Sequence, residues 1–329
     1  MFGNLVVRLF LWNGGACLAE KKAPAASDLY FVDAHSQIPH FVELETVLVR
    51  MKKNGVHRTI LSANAGRDTA SVAAFARRHP GRIIAAVRTK GREYRKDETG
   101  FYYLLDEQAE SRDYGAMAEV MIYHTPKHNI GGNLSAQSKN YVSVLPGDER
   151  VRRSVRHAIR RGWPVVLHIE SEAIRKHEGE KTREFFLKEL DALLREYPRH
   201  PFVLNKLGQF SSEKVRRMIG KHPNIYFFTD HSTNPEKRRA PDDRWAQPWV
   251  NIFRNDSEFA PEWAALLVRH SGRFIFALDR VREKHWRAAK YKRSVRYFKR
   301  ALSRLPAAAA RAIAHGNAER LWKLPPRGR

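Results

Sequence analysis

"LYFVDAHSQIPHFVELETVLVRMKKNGVHRTILSA", residues 29–63, contains one full period of the pattern that organises the chain. An apolar run ends at Val32, and Asp33, His35 and Gln37 follow at alternate positions. Residues 41–54 then carry Phe41, Leu44, Leu48 and Met51 at helical spacing. Gly55 stands where a helix closes through a left-handed residue, and a second apolar run occupies 58–63. Strand, helix and strand in this order make a βαβ unit.

Working outward, the same unit recurs. Strands are predicted at 29–35, 58–63, 82–89, 115–124, 164–170, 201–208, 224–230 and 273–279. Val, Ile, Leu, Phe and Ala dominate them without strict alternation, as in parallel strands covered on their outer face. Helices are predicted at 41–54, 68–79, 150–161, 181–196, 212–222 and 260–271, with Gly162, Gly220 and Gly272 near helix ends. This is the arithmetic of an α/β TIM (β/α)8 barrel, parallel strands surrounded by helices. A doubly wound open sheet competes, but no Gly-rich phosphate fingerprint follows a strand. The expected organisation is a leader over 1–28, a barrel domain over 29–324 and a tail over 325–329. Long polar segments at 125–147 and 231–257 read as loops on the catalytic face that cover a substrate, or as surface insertions.

The 329 residues, 43% hydrophobic and 11% aromatic, suffice for a large core and exclude a disordered chain. A single cysteine, Cys17, excludes an intramolecular disulfide. The formal charge of +25 fits a polyanion or nucleic-acid binder, an anionic membrane surface, or a solvated basic shell. No RNA-recognition, zinc-finger or homeodomain pattern is present, so no specific nucleic-acid partner is expected. The basic segment 282–305 carries Tyr291, Val295, Phe298, Leu302 and Leu305 as a helical stripe, which predicts a helix packed on the barrel. Trp286 and Tyr297 fall off that stripe, too few to form a stacking platform for bases. No run approaches the ~20 apolar residues that span a bilayer. Residues 1–27 resemble a short export signal with a lipoprotein-like Gly15-Ala16-Cys17, which predicts a periplasmic or lipid-anchored protein; a cytoplasmic one is the alternative.

Polar residues recur where the apolar runs finish. They are Asp33, His35 and Gln37; Arg88 and Lys90; Glu119 and His124; His168 and Glu170; Lys206; Asp230 and His231; and Asp279. In a barrel these carboxyl ends converge on one mouth. Imidazole and carboxylate there suit a divalent ion such as zinc, with an open position whose water ionises near neutral pH. Singly, each residue has a structural alternative: a loop hydrogen bond for a histidine, a helix cap for Asp279, an arginine partner for Glu119. Arg88, Lys90 and Lys206 would make the mouth positive, which predicts a small anionic substrate.

"VDAHSQ", "VVLHIE", "VLNKLGQF", "FIFALD" and "IAHGNAERLWKL" occur in this order over residues 29–324. Together they resemble the amidohydrolase superfamily, particularly its amidohydrolase-related branch. The resemblance implies a metal-dependent hydrolase of amide, ester or lactone carbonyls, attacked by water activated on one divalent metal, with zinc expected first and manganese second. It implies His35, His168, Asp279 and Glu119 as metal ligands, with Asp279 and Glu119 also catalytic. Asn317 would anchor the terminal helix. Gln37 and Lys206 stand where the family pattern has histidines. A glutamine offers only a neutral oxygen, and a lysine ammonium is a donor and not a ligand. Both are therefore assigned, with Arg88 and Lys90, to the substrate. The alternatives are a metal-dependent decarboxylase on the same barrel, a catalytically impaired anion-binding barrel, and, behind these, a polyanion binder.

Overall fold

A computed structural model describes residues 29–124, 141–171, 174, 183–230, 232 and 250–327. The leader, most of both long polar loops and His231 lie outside the described residues. Among the described residues twelve strand segments are formed: β1 Phe31–Pro39, β2 Val56–Asn64, β3 Ile83–Val87, β4 Ala116–Met117, β5 Val120–His124, β6 Val142–Ser143, β7 Val165–Ile169, β8 Phe202–Leu204, β9 Ile225–Phe228, β10 Phe253–Asn255, β11 Glu258–Phe259 and β12 Phe274–Ile275. The helices are α1 Leu44–Asn54, α2 Thr69–Arg78, α3 Arg92–Lys96, α4 Thr99–Glu110, α5 Glu149–Arg161, α6 Arg183–Glu196, α7 Ser212–Lys221, α8 Pro261–Arg269, α9 Glu283–Trp286, α10 Ala288–Leu302, α11 Ala307–Arg311 and α12 Asn317–Leu321.

The eight predicted strands are all present and the fold is the expected α/β TIM barrel, although its ladder is not continuous around the ring. One sheet runs β1-β2-β3-β4 and the other β12-β9-β8-β7-β5-β6. The pairings within the ring are parallel, while β6 joins β5 antiparallel. Strand four passes through both sheets, since β4 and β5 are separated only by Ala118 and Glu119. The amide of Ala118 still donates to the Val87 carbonyl at 3.0 Å. The opposite seam is bridged by Ala34 N to Phe276 O (3.1 Å), Asp279 N to His35 O (2.8 Å) and Gln37 N to Arg280 O (2.8 Å).

Two apolar cores follow from the alternation of side chains along these strands. The outer core lies between strands and helices and includes Phe31, Leu61, Val165, Leu167, Phe202, Leu204 and Phe227. The inner core is Val32, Ala34, Ile60, Ala86, Ala116, Ala118, Val166, Val203, Phe228, Ile275 and Ala277, joined by Ala318, Leu321 and Trp322 from the chain's final helix. Much of this interior is alanine, and α12 with Trp322 supplies the bulk that the small strand residues leave unfilled. Asn317 fixes that segment by donating to the carbonyls of Ser271 (2.7 Å) and Phe274 (2.8 Å), the anchoring role expected of it.

The helices form where hydrophobic spacing predicts them, and their ends follow local chemistry. Asp68, Asp148 and Ser211 accept backbone N–H groups at the starts of α2, α5 and α7. Gly55 and Gly162 close α1 and α5 at φ 71° and 68°. Between β3 and β4, α3 and α4 were not anticipated; α4 buries Phe101, Leu105, Gln108 and Ala109. The stripe on α10 is buried as expected, including Tyr291, Val295, Phe298 and Leu302. Trp286 and Tyr297 are buried as well, so neither presents a ring to solvent. No helix among the described residues is long and apolar enough to cross a membrane.

Candidate active site

Strand alternation delivers most of the site. On β7, Val166 belongs to the inner core, which puts His168 and then Glu170 on the same side. On strand eight, Ile275 and Ala277 lead to Asp279 in the same way. Strand one needs a correction of phase, because Val32 and Ala34 face inward and would carry Ser36 with them. A register shift between Asp33 and Ser36 inserts one extra residue against β2, so His35 and Gln37 turn inward instead. Asp33 stabilises this bulge. Its carboxylate accepts Ser36 Oγ at 2.6 Å and the Leu278 amide at 2.9 Å, and burial pushes its pKa up to about 6.

At the mouth, Glu119 is the hub. Its Oε1 accepts Gln37 Nε2 (2.9 Å) and Lys90 Nζ (2.5 Å), and its Oε2 pairs with His168 Nδ1 (2.7 Å) and accepts Asn205 Nδ2. Burial opposes its charge, but Lys90, His168 and His35 outweigh burial and hold its carboxyl well below the usual range. His35 Nε2 lies 3.6 Å from Glu119 Oε2 and 3.5 Å from Asp279 Oδ1. Burial disfavours an imidazolium there, yet the Glu119, Asp279 and Asp230 carboxylates outweigh it and raise the His35 pKa.

Metal fit can be judged from these distances. One atom each of His35, Glu119 and Asp279 lies within 4.8 Å of the other two. The separations of 3.5 and 3.6 Å are long for a hydrogen bond. They are close to the roughly 3.0–3.4 Å edges expected between ligands of one ion at bond lengths of ~2.1 Å. Two carboxylates and one imidazole also match the charge and donor type of a divalent site. The residues fit. A second group, His124, His168 and Glu170, meets the same distance criterion. There, however, the Lys206 amine is 3.4 Å from His168 Nε2 and 3.6 Å from Glu170 Oε1. Burial disfavours the ammonium, but Glu170, Asp279, Glu119 and Asp230 outweigh it and raise the Lys206 pKa, so the cation there is the lysine itself.

The predicted residues are therefore mostly brought together. His35, Gln37, Glu119, His168, Lys206 and Asp279 form one buried network, which the half-buried Lys90 joins through Glu119. His168 lies beside the His35–Glu119–Asp279 triad and binds Glu119. Arg88 does not join them. Its amide donates to Gln108 Oε1 (2.9 Å) and its guanidinium to the Lys90 carbonyl (2.8 Å), so it braces the turn that presents Lys90.

Asn205 was missed. It is the inward position two residues after Val203, so strand parity selects it over Lys206. Lys206 gets in by a different route. Lys206, Leu207, Gly208 and Gln209 all have positive φ, between 55° and 62°, forming a left-handed turn that swings the lysine back across the mouth. Asp230 Oδ1 accepts the Lys206 amide at 2.8 Å, and burial and Asp279 push the Asp230 pKa up to about 7.

A parallel barrel with acids, imidazoles and ammonium groups gathered at the carboxyl ends of its strands is the architecture of a barrel enzyme. The sequence model of the amidohydrolase family matches residues 18–324, and the chain belongs to that family. The fold superposes on 2,6-dihydroxybenzoate decarboxylase from Rhizobium with TM-score 0.54 and 14% identity, covering 90% of this chain and 99% of that one. The same enzyme complexed with 2,6-dihydroxybenzoate gives 0.53 at 14%, covering 90% and 98%. An amidohydrolase II gives 0.50 at 13%, covering 89% and 99%. At such identities the likeness is one of fold. Comparison with curated proteins returns no match.

Proposed function

We propose that the protein is an enzyme that uses one divalent metal ion to hydrolyse an amide, ester or lactone carbonyl of a small anionic substrate. The observation that carries this reading is the buried His35–Glu119–Asp279 triad, whose ligating atoms lie within 4.8 Å of one another at the barrel mouth. When bound, such an ion polarises a carbonyl and makes hydroxide available near neutral pH. The chain supplies the rest. His168 Nδ1 and Asn205 Nδ2 orient the Glu119 carboxylate. Asp279 presents Oδ1 to His35 and Oδ2 to the Lys206 ammonium at 4.0 Å, so Oδ2 is the atom placed to take a proton from the attacking water. Lys206 occupies the side of His168 and Glu170 where a second ion would sit, which supports a single-metal centre. Lys206 and Lys90 provide the positive charge that binds the substrate's anionic group.

A decarboxylase is the second reading, favoured by the same two ammonium groups, which suit a carboxylate on the substrate. The test is metal-loaded protein against lactones, esters, amides and hydroxylated benzoic acids. Acid release supports hydrolysis, and carbon dioxide release supports decarboxylation. Lys206→Met should raise KM for an anionic substrate at least tenfold. Protein that holds no zinc or manganese by elemental analysis after loading overturns the metal-dependent reading.

A further inference from the structure

We infer that Gln37 is itself a metal ligand, through its amide oxygen, after a half-turn of the amide about its terminal side-chain bond. This rests on the metal reading above. One atom, Gln37 Nε2, lies 3.3 Å from His35 Nε2, 2.9 Å from Glu119 Oε1 and 3.2 Å from Asp279 Oδ1. The amide end is thus in contact with all three members of the triad. The other end of the same amide, Oε1, is buried with no hydrogen-bond partner among the described residues. A carbonyl oxygen in that condition is costly, whereas the two ends of an amide are nearly the same shape and exchange by rotation. The nitrogen serves while two carboxylates need donors. A cation among those carboxylates removes that need and attracts the oxygen.

The backbone cannot make this adjustment for the side chain. The Gln37 amide donates to the Arg280 carbonyl at 2.8 Å, and its carbonyl accepts Trp286 Nε1 at 3.1 Å. The bulge in β1 fixes the direction in which the side chain leaves. Only side-chain torsions remain.

The resulting set is one imidazole nitrogen, one amide oxygen and two carboxylates. Oxygen-rich ligation is harder than the imidazole-rich sets favoured by zinc, so it narrows the usual advantage of zinc over manganese.

Chelator competition with Zn2+ and Mn2+ on the full chain tests this. Gln37→Leu should weaken both metals at least tenfold, and Gln37→His should widen the zinc-to-manganese affinity ratio at least tenfold. Metal bound by the unmodified chain but equally, within twofold, by Gln37→Leu overturns this inference and leaves the single-metal reading intact. No metal bound by the unmodified chain overturns both. Because the leucine variant removes two donors from buried carboxylates and can fail to fold, a metal-loaded crystal structure of the unmodified chain provides an independent measurement. Gln37 Oε1 should lie about 2.0–2.3 Å from the ion; an amide nitrogen facing the ion, or an oxygen beyond about 3 Å, overturns the inference.

Discussion

At the scale of single residues, the site is a problem in keeping a buried carboxylate charged. Glu119 receives donors or partners from four other places around the barrel: Gln37, Lys90, His168 and Asn205. Removing one leaves a buried anion short of a hydrogen bond and free to rotate. Asn205→Ala should therefore weaken divalent-metal affinity by about 10–100-fold, the range typical of groups that orient ligands, as measured by chelator competition. His35, His168, Lys90 and Asp279 were legible in the sequence because each follows or ends an apolar run, and Glu119 because it is the one acid inside the apolar run 115–124. Asn205 was not, because the charged residue beside it drew the assignment while parity from Val203 pointed one position earlier. Arg88 also ends an apolar run, but it stands apart from the network: Gln108 on an unanticipated helix accepts its amide, and its guanidinium donates to the Lys90 carbonyl. The bulge that redirects His35 and Gln37 has no sequence signal of its own.

At the scale of elements, the left-handed turn 206–209 is the least expected feature. Three of its four residues carry a Cβ, at roughly 1–2 kcal/mol each relative to a right-handed conformation. It persists because its surroundings hold it. Asp230 accepts the Lys206 amide, Ser171 Oγ donates to the Gly208 carbonyl at 2.6 Å, and the Phe210 amide donates to the Leu207 carbonyl at 3.1 Å. Backbone strain concentrated beside reactive groups is characteristic of functional sites. At Gly208, φ is +62° and an added Cβ would meet Phe210 at 2.9 Å and Leu204 at 3.1 Å. Gly208→Ala should cost about 1–3 kcal/mol in urea unfolding, and should displace Lys206 enough to weaken binding of anionic ligands. A second element-level contact lies on the outside, where Asp191 of α6 meets Lys221 at 2.6 Å and His222 at 2.8 Å at the end of α7. Burial raises its pKa, but Lys221, Arg195 and His222 outweigh burial and lower it. A depressed carboxylate stabilises the fold above its unfolded pKa, near ~3.9, and loses that contribution as pH falls through the folded value. Asp191→Asn should accordingly lower Tm at pH 7, and the difference from the unmodified protein should shrink as pH falls below the ordinary carboxylate range.

At the scale of the whole molecule, the barrel was legible because eight apolar runs and the helices between them are nearly all local statements. How its interior is filled was not, because that depends on a contact between opposite ends of the domain. Ala34, Ala86, Ala116, Ala118 and Ala277 leave room that Leu321 and Trp322 occupy, with Trp322 stacked 6.1 Å from Phe228. Below them, Glu319 joins Tyr30 Oη (2.9 Å), His315 (2.9 Å) and Arg58 (3.6 Å), tying this segment to β1 and β2. Trp322→Ala should cost about 3–5 kcal/mol in urea unfolding, the range for emptying a packed aromatic site. The high net charge belongs to this scale too. With the rings of 282–305 buried, any retention on DNA or RNA should fall steeply with salt and show no sequence preference.

A ribosome releases all eight strands before it releases the tryptophan that fills the space between them. Until residue 322 emerges, the strands lack the ring that packs against Phe228 and their five inward alanines. Folding of this chain should complete only after synthesis has passed that point, however early the individual strands and helices take shape.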